Sequence, residues 1–311
     1  MKTEFPSSIV PPDQAEVIRA YGDEVSIHLG EKHNGGVFTM FTDITPPAGG
    51  PPPHFHTLED EWFHVLEGQI EFLIDGVWSG AVPVGTTVFA PRNSFHTFRN
   101  AGDTPHKMLM HTAPSGFESF FKKSETEFHK EGGPDMARIL QIGAEFGIYF
   151  PTISAADEAK RGPQELPVSI VRPGEGRVCR MFGEEVVILL DSKQTGGKFT
   201  SFIDTTQPGG GPPPHYLADQ DEWLFVLEGK MSFFNDGKWV DAPAGTAFFS
   251  PRNSVHTFKN VGDTPSKMLV HVTPCGIEDF FIKAHDEFAK PGGPDMALAM
   301  QIAQDHGIIF V

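Results

Sequence analysis

Gly50-Pro51-Pro52-Pro53-His54-Phe55-His56 is the stretch whose reading decides the fold. The prolines fix φ and keep the chain extended on entry. In an extended strand, residues i and i+2 share a face, so His54 and His56 converge on one point. Five residues further on, Glu61 opens Glu61-Trp62-Phe63-His64-Val65-Leu66-Glu67-Gly68, a strand-like run closed by a turn glycine. A third imidazole, His96, lies in the turn-then-strand stretch Pro91-Arg92-Asn93-Ser94-Phe95-His96-Thr97-Phe98-Arg99-Asn100. Three histidines and one carboxylate are donors suited to a divalent transition metal.

Bulk composition narrows the classes. A length of 311 residues accommodates one large or two ordinary domains, and 39% hydrophobic content supports a core. The 33 glycines and 27 prolines fit many short strands joined by turns. A net charge of −17 and the lack of a basic cluster argue against nucleic acid or an anionic membrane as partner. Cys179 and Cys275 form no C-x-x-C pair, which points to a reducing compartment. The start has no apolar segment of the signal-peptide kind, and no run reaches transmembrane length, so a cytoplasmic protein is expected. The 28 phenylalanines fit sandwich-core packing or the lining of an apolar cavity; composition does not separate the two.

The chain repeats itself. Gly50-Pro51-Pro52-Pro53-His54-Phe55-His56 returns as Gly211-Pro212-Pro213-Pro214-His215-Tyr216-Leu217, and Asp60-Glu61-Trp62 returns as Asp221-Glu222-Trp223. Pro91-Arg92-Asn93-Ser94 returns as Pro251-Arg252-Asn253-Ser254, and His96-Thr97-Phe98 as His256-Thr257-Phe258. The offset is 161 early and 160 later, covering the chain beyond about the first twenty residues. This period is too long for a solenoid unit and marks a duplicated domain. Domains at 1–150 and 151–311 are expected, joined by a Pro/Gly-punctuated stretch. Each half reads as strands cut by turns such as Asp75-Gly76 and Asp236-Gly237, followed by helices. The helices are expected near Phe117 to Lys123 and Ile277 to Lys283. A further one carries Met136, Ile139 and Leu140, begun by Pro134-Asp135 and stopped by Gly147.

The first half resembles the two motifs of the cupin superfamily: His54-x-His56-x4-Glu61-x6-Gly68, then Gly85-x5-Pro91-x-Asn93-x2-His96-x3-Asn100. Its leading glycine is displaced, and Asn93 replaces a glycine, a mild change because Asn tolerates left-handed backbone. With the duplication, the chain is similar to quercetin 2,3-dioxygenase-like bicupins. The resemblance implies a mainly β chain of two tandem cupin jelly-roll barrels, each followed by a short helical segment. It also implies one divalent transition metal per chain (Fe, Mn, Ni, Co, Cu or Zn) in the first barrel, held by His54, His56, Glu61 and His96. In quercetinase-like enzymes the equivalent of Glu61 is a base toward the substrate hydroxyl, which assigns a catalytic role to Glu61.

The second half keeps His215, Glu222 and His256 but has Leu217 in the place of His56. It is either a lapsed site that now supports only the barrel or a weaker two-histidine, one-carboxylate metal site. His64 is expected to face outward to solvent. His111 and His271 are expected in core packing or beside the site. Phe55, Phe63, Phe72 and Phe95 are candidate walls of an apolar pocket. The leading expectation is a metal-dependent dioxygenase using O2 on a small aromatic or enolisable substrate. A non-oxidative isomerase, cyclase or decarboxylase uses the same ligands, and a non-catalytic binding bicupin is the third reading. Monomer and homodimer are both compatible with an internal duplication.

Overall fold

The computed structural model describes residues 5–235 and 237–311; Asp236 of the second expected hairpin turn and residues 1–4 lie outside them. The chain forms two compact units. One is Ala15–Gly174, and the other joins Glu175–Val311 to the N-terminal segment ending at Gln14.

In the Ala15–Gly174 unit a seven-stranded antiparallel sheet runs in the order Ser169–Val171, Thr87–Ala90, Asp60–Glu67, His106–Ala113, Thr39–Thr45, Asp23–Leu29, Glu16–Ala20. A second sheet has the order His96–Asn100, Ile70–Ile74, Val77–Val82. Ile18, Val25, Phe41 and Val65 of the large sheet meet Ile70, Phe72, Val82 and Phe98 of the small one in a single core. This is the jelly-roll form of a barrel, two packed sheets with open edges. Alternation sets which side chains enter: Glu61, Phe63 and Val65 share the core face, and Trp62 and His64 share the opposite one. Residues 60–65 are all buried, so the strand is covered on both faces.

Local chemistry explains the joints. Ile74 pairs with Val77 across Asp75 and Gly76, whose φ values of 49° and 81° make the tight hairpin favoured by twisted strands. The helices are Phe117–Phe128 and Met136–Glu145. The second starts at Asp135, whose side chain accepts hydrogen bonds from the amides of Ala137 and Arg138 at 2.9 and 3.3 Å. It ends before Gly147, at φ 73°.

The second unit repeats this plan. Its large sheet runs Ser8–Val10, Ala247–Ser250, Asp221–Glu228, Ser266–Thr273, Thr200–Thr206, Glu184–Leu190, Arg177–Met181. Its small sheet is Lys238–Pro243, Lys230–Asn235, Thr257–Asn260, and its helices are Ile277–Phe288 and Met296–Asp305. The repeat extends further toward the N-terminus than the sequence comparison reached. Ser8-Ile9-Val10 and Ser169-Ile170-Val171 are equivalent, and each extends the sheet of the half to which it does not belong by repeat: Ser8–Val10 pairs with Ala247–Ser250, and Ser169–Val171 with Thr87–Ala90. Cys179 and Cys275 are free thiols. Among the described residues no helix is long and apolar enough to cross a membrane.

Candidate metal centre

His54 sits on an isolated antiparallel bridge with His96, the two residues exchanging backbone hydrogen bonds at 3.0 and 2.9 Å. His56 lies two residues on, in a short strand paired with Ile148. The turn at residues 91–94 is tied to both. Its Asn93 amide donates to the His56 carbonyl at 2.7 Å, and Asn93 has the left-handed φ of 67° that its residue type tolerates. Arg92 grips buried Asp60, at the head of the Glu61 strand, through its amide, Nε and Nη2 at 3.0, 3.2 and 2.9 Å. The turn therefore aims His96 while clamping the backbones that carry His56 and Glu61.

One ligand-capable atom from each of His54, His56, Glu61 and His96 lies within 4.8 Å of the others, and all four residues are buried. The rings are oriented for this. His54 Nδ1 donates to the Pro52 carbonyl at 2.9 Å and His96 Nδ1 to the Ser94 carbonyl at 3.0 Å, which leaves each Nε2 unprotonated in the neutral ring. Glu61 Oε2 is 3.0 Å from His96 Nε2 and 3.5 Å from His56 Nε2. Neither ring nitrogen of His56 makes a hydrogen bond, although the residue is 1% exposed. A buried imidazole whose nearest acceptors stand 3.5 Å away is left under-satisfied unless something else fills the site. This donor set fits a divalent transition metal.

Burial, reinforced by the neighbouring His96 and His56, holds the His54 pKa well below its ordinary value. Burial also pushes His56 downward, but Glu61 and Glu59 more than offset it, and the net shift is upward. The same two carboxylates, Glu61 and Glu59, would favour a cation held at His56. Glu59 is 4% exposed and lies 3.5 Å from His56 Nδ1.

A cavity of about 90 Å³ adjoins three of the four, His54, His56 and Glu61. Its aromatic wall is Tyr21, Phe98, Phe117, Phe120, Phe121 and Phe150. This corrects the expected wall. Phe55 stacks on Tyr149, Phe63 and Phe72 pack in the sheet core, and Phe95 sits in the turn before His96. Three of the actual wall residues come from the helix after the sheet, which strand parity cannot place. His64 is also corrected. It lies opposite Glu61 as expected, yet it is 3% exposed and hydrogen-bonded to Thr87 Oγ1 at 2.8 Å, because that face is covered too. His111 and His271 are buried and stack almost parallel on Trp62 and Trp223, in line with core packing.

Two acidic residues of the cavity escaped the sequence reading. Asp23 and Asp43 line the cavity beside His54, His56 and Glu61. Burial pushes Asp23 up to about 7, and burial with repulsion from Asp23 and Glu61 raises Asp43 well above the ordinary carboxylate range. The available signal was parity: in Thr39–Thr45, Asp43 shares the inward face with Phe41, and Asp204 repeats this beside Phe202.

In the second unit His215, Glu222 and His256 converge in the same way, within 4.8 Å. His256 Nε2 is 2.7 Å from Glu222 Oε2, and His215 Nδ1 donates to the Pro213 carbonyl at 2.9 Å. The Asn253 amide still donates to residue 217 at 2.7 Å, but Leu217 is 3% exposed within the apolar core. The backbone frame is intact and one donor is gone.

Two duplicated jelly rolls, the first with a buried three-histidine, one-glutamate cluster, define the class of bicupins. The cupin domain family matches this chain at residues 41–112 and again at 202–272, and the chain belongs to the cupin superfamily. It is 23% identical over 253 residues to quercetin 2,3-dioxygenase of Bacillus subtilis, covering 76% of this chain and 73% of that protein. Among solved structures, oxalate decarboxylase of Bacillus subtilis superposes with a TM-score of 0.60 at 17% identity, covering 88% of this chain and 77% of that one. Protein Ylba of E. coli gives a TM-score of 0.61 at 14% identity, over 88% and 93% of the two chains. At these identities the solved structures establish the fold alone.

Proposed function

We propose that the first unit binds one divalent transition metal per chain through His54, His56, Glu61 and His96, and that the chain is a dioxygenase for a small, neutral, aromatic or enolisable molecule. The observation that carries this reading is the convergence of four buried donors, with two Nδ1 atoms turned away onto carbonyls and His56 left without a hydrogen bond. When bound, the metal supplies Lewis-acid and redox chemistry. The protein's own residues do the rest. Phe98, Phe117, Phe120, Phe121 and Phe150 keep water from the reacting groups. Glu61, beside His56 and His96, accepts the proton of the substrate's enol or phenol hydroxyl.

Size and charge sharpen the substrate. A cavity of about 90 Å³ is well below the ~300–1,000 Å³ of sites for drug-sized ligands, which favours a molecule smaller than a flavonol. Three carboxyl groups and no Lys or Arg line it, so no side-chain cation is present to pair with the second charge of a small dianion such as oxalate. A second reading is favoured by the Asp23–Asp43 pair. A carboxyl that retains its proton near neutral pH is the donor a non-oxidative isomerase or decarboxylase requires.

Elemental analysis of the wild type beside His56→Ala and His256→Ala tests the metal assignment. We expect about one metal per chain, lost in His56→Ala and kept in His256→Ala. No metal in the wild type after loading with each of the six candidate ions would remove both enzymatic readings. Oxygen uptake with neutral enols, diketones and phenols supports the dioxygenase, whereas product formed under strict anaerobiosis selects the non-oxidative enzyme. Glu61→Gln protein that still holds metal is expected to lose ~10²–10⁴-fold in turnover, and full activity would overturn the base assignment.

A further inference from the structure

The second unit encloses a cavity of about 410 Å³, against about 90 Å³ in the first. Three exchanges between the repeats contribute to the difference. Met110 and Phe117 line the first cavity, where their equivalents Val270 and Ile277 line the second, and Leu224 stands at the position of Phe63. Each exchange removes side-chain volume. Leu217, in the place of His56, adds an apolar wall where a ligand-capable ring stood.

The enlarged space has the character of a binding site. Its volume falls within the ~300–1,000 Å³ range of small-molecule pockets. Phe202, Phe258, Phe280, Phe281 and Phe310 supply aromatic walls. Met296 and Met300 line it as well and are 49% and 40% exposed, which puts adaptable thioether side chains at its mouth. The polar lining includes Glu184 and Asp204, and no Lys or Arg takes part. Asp204 is 4% exposed, and the buried atoms Asp204 Oδ1 and Glu184 Oε1 accept no hydrogen bond. Buried acceptors of this kind call for a donor. With Glu222 as a third carboxyl in the lining, an anionic ligand is disfavoured.

We infer that the second unit is a binding site for a neutral, ring-containing molecule whose hydroxyl group donates to the Glu184–Asp204 carboxyls, the rings packing against the phenylalanine wall. This goes beyond the chemistry proposed for the first unit and does not depend on it. The site receives a ligand class that the first cavity is too small to admit.

Calorimetric titration of the intact protein with 2-naphthol and with 2-naphthoate tests this. We expect one 2-naphthol per chain in the micromolar range and 2-naphthoate at least about tenfold weaker. Asp204→Asn should narrow that gap by placing an amide N–H that can donate to the carboxylate of 2-naphthoate. The double variant Val270→Met/Ile277→Phe installs the side chains that the first unit already accommodates, and it should abolish binding with a cooperative melt retained. Should that melt broaden, Leu224→Phe fills the same cavity and carries the same expectation. His56→Ala should bind 2-naphthol as the wild type does. Failure of the wild type to bind 2-naphthol, equal affinity for 2-naphthoate, binding that survives the cavity-filling variants, or loss of binding in His56→Ala would each overturn the inference.

Discussion

His64 is the residue where burial, hydrogen bonding and titration meet away from the candidate metal ligands. Burial pushes its pKa down to about 4, against about 6.5 in an unfolded chain. The folded protein therefore holds the neutral ring, and unfolding lets it take up a proton. A depressed folded pKa contributes stability that is complete above about pH 6.5 and is lost as the pH falls toward about 4. The fall from about 6.5 to about 4 corresponds to an upper figure of about 3 kcal/mol for this residue. His64→Gln keeps a polar group near Thr87 but does not titrate. Its melting temperature should lie below the wild type near pH 8, and the gap should close or reverse near pH 4. A gap that stays constant over that range would show that His64 is charged in the fold or does not report on acid unfolding.

At the scale of elements, the glycine before the proline triplet governs how the histidine strand meets its neighbour. Gly50 has φ 140°, and a Cβ there would collide with the Phe98 carbonyl and crowd Arg99 Cα. Gly211 stands in the same relation to Phe258 and Lys259. Gly50→Ala must therefore push the His96–Asn100 strand away and should destabilise the first unit by about 2–4 kcal/mol, with metal content falling in parallel. An unchanged melting temperature and metal content would disprove the close approach. Much of this element logic was legible in sequence: His54 and His56 by parity, Asp135 by its capping role, and Asp75-Gly76 by its turn chemistry all act through near neighbours along the chain. Less legible were contacts made across the fold. Phe117, Phe120 and Phe121 reach the cavity from a helix whose docking no local pattern specifies. Asp43 reads as an ordinary strand residue until its parity with Phe41 is weighed, and Glu59 until His56 is placed above it. His64 was misjudged because a single strand shows which face a residue takes, not whether that face is covered.

At the scale of the whole molecule, the repeat in sequence and the compact unit in space are cut at different places. Ser169–Val171 leads the second repeat but completes the edge of the first unit's large sheet beside Thr87–Ala90. The same connecting stretch docks on the turn that aims His96: Arg161 Nε donates to the Asn93 carbonyl at 3.0 Å, and the Gly162 amide donates to Asn93 Oδ1 at 3.2 Å. A fragment ending at residue 150 would lose both the edge strand and these bonds to the turn that aims His96. It would also leave the Thr87–Ala90 strand, buried along its length, as an unpaired edge open to self-association. A fragment of residues 15–174 retains every one of these contacts and needs nothing from Ser8–Val10, which serves the other unit. We therefore expect residues 15–174 to melt in one cooperative transition and to retain about one metal per chain, and residues 15–150 to be less stable by several kcal/mol and prone to aggregate. Size-exclusion chromatography, thermal melting and elemental analysis of the two fragments decide it. Equal stability and metal content would mean that the exchanged strand is dispensable to the first unit and that its fold is closed by its own repeat alone.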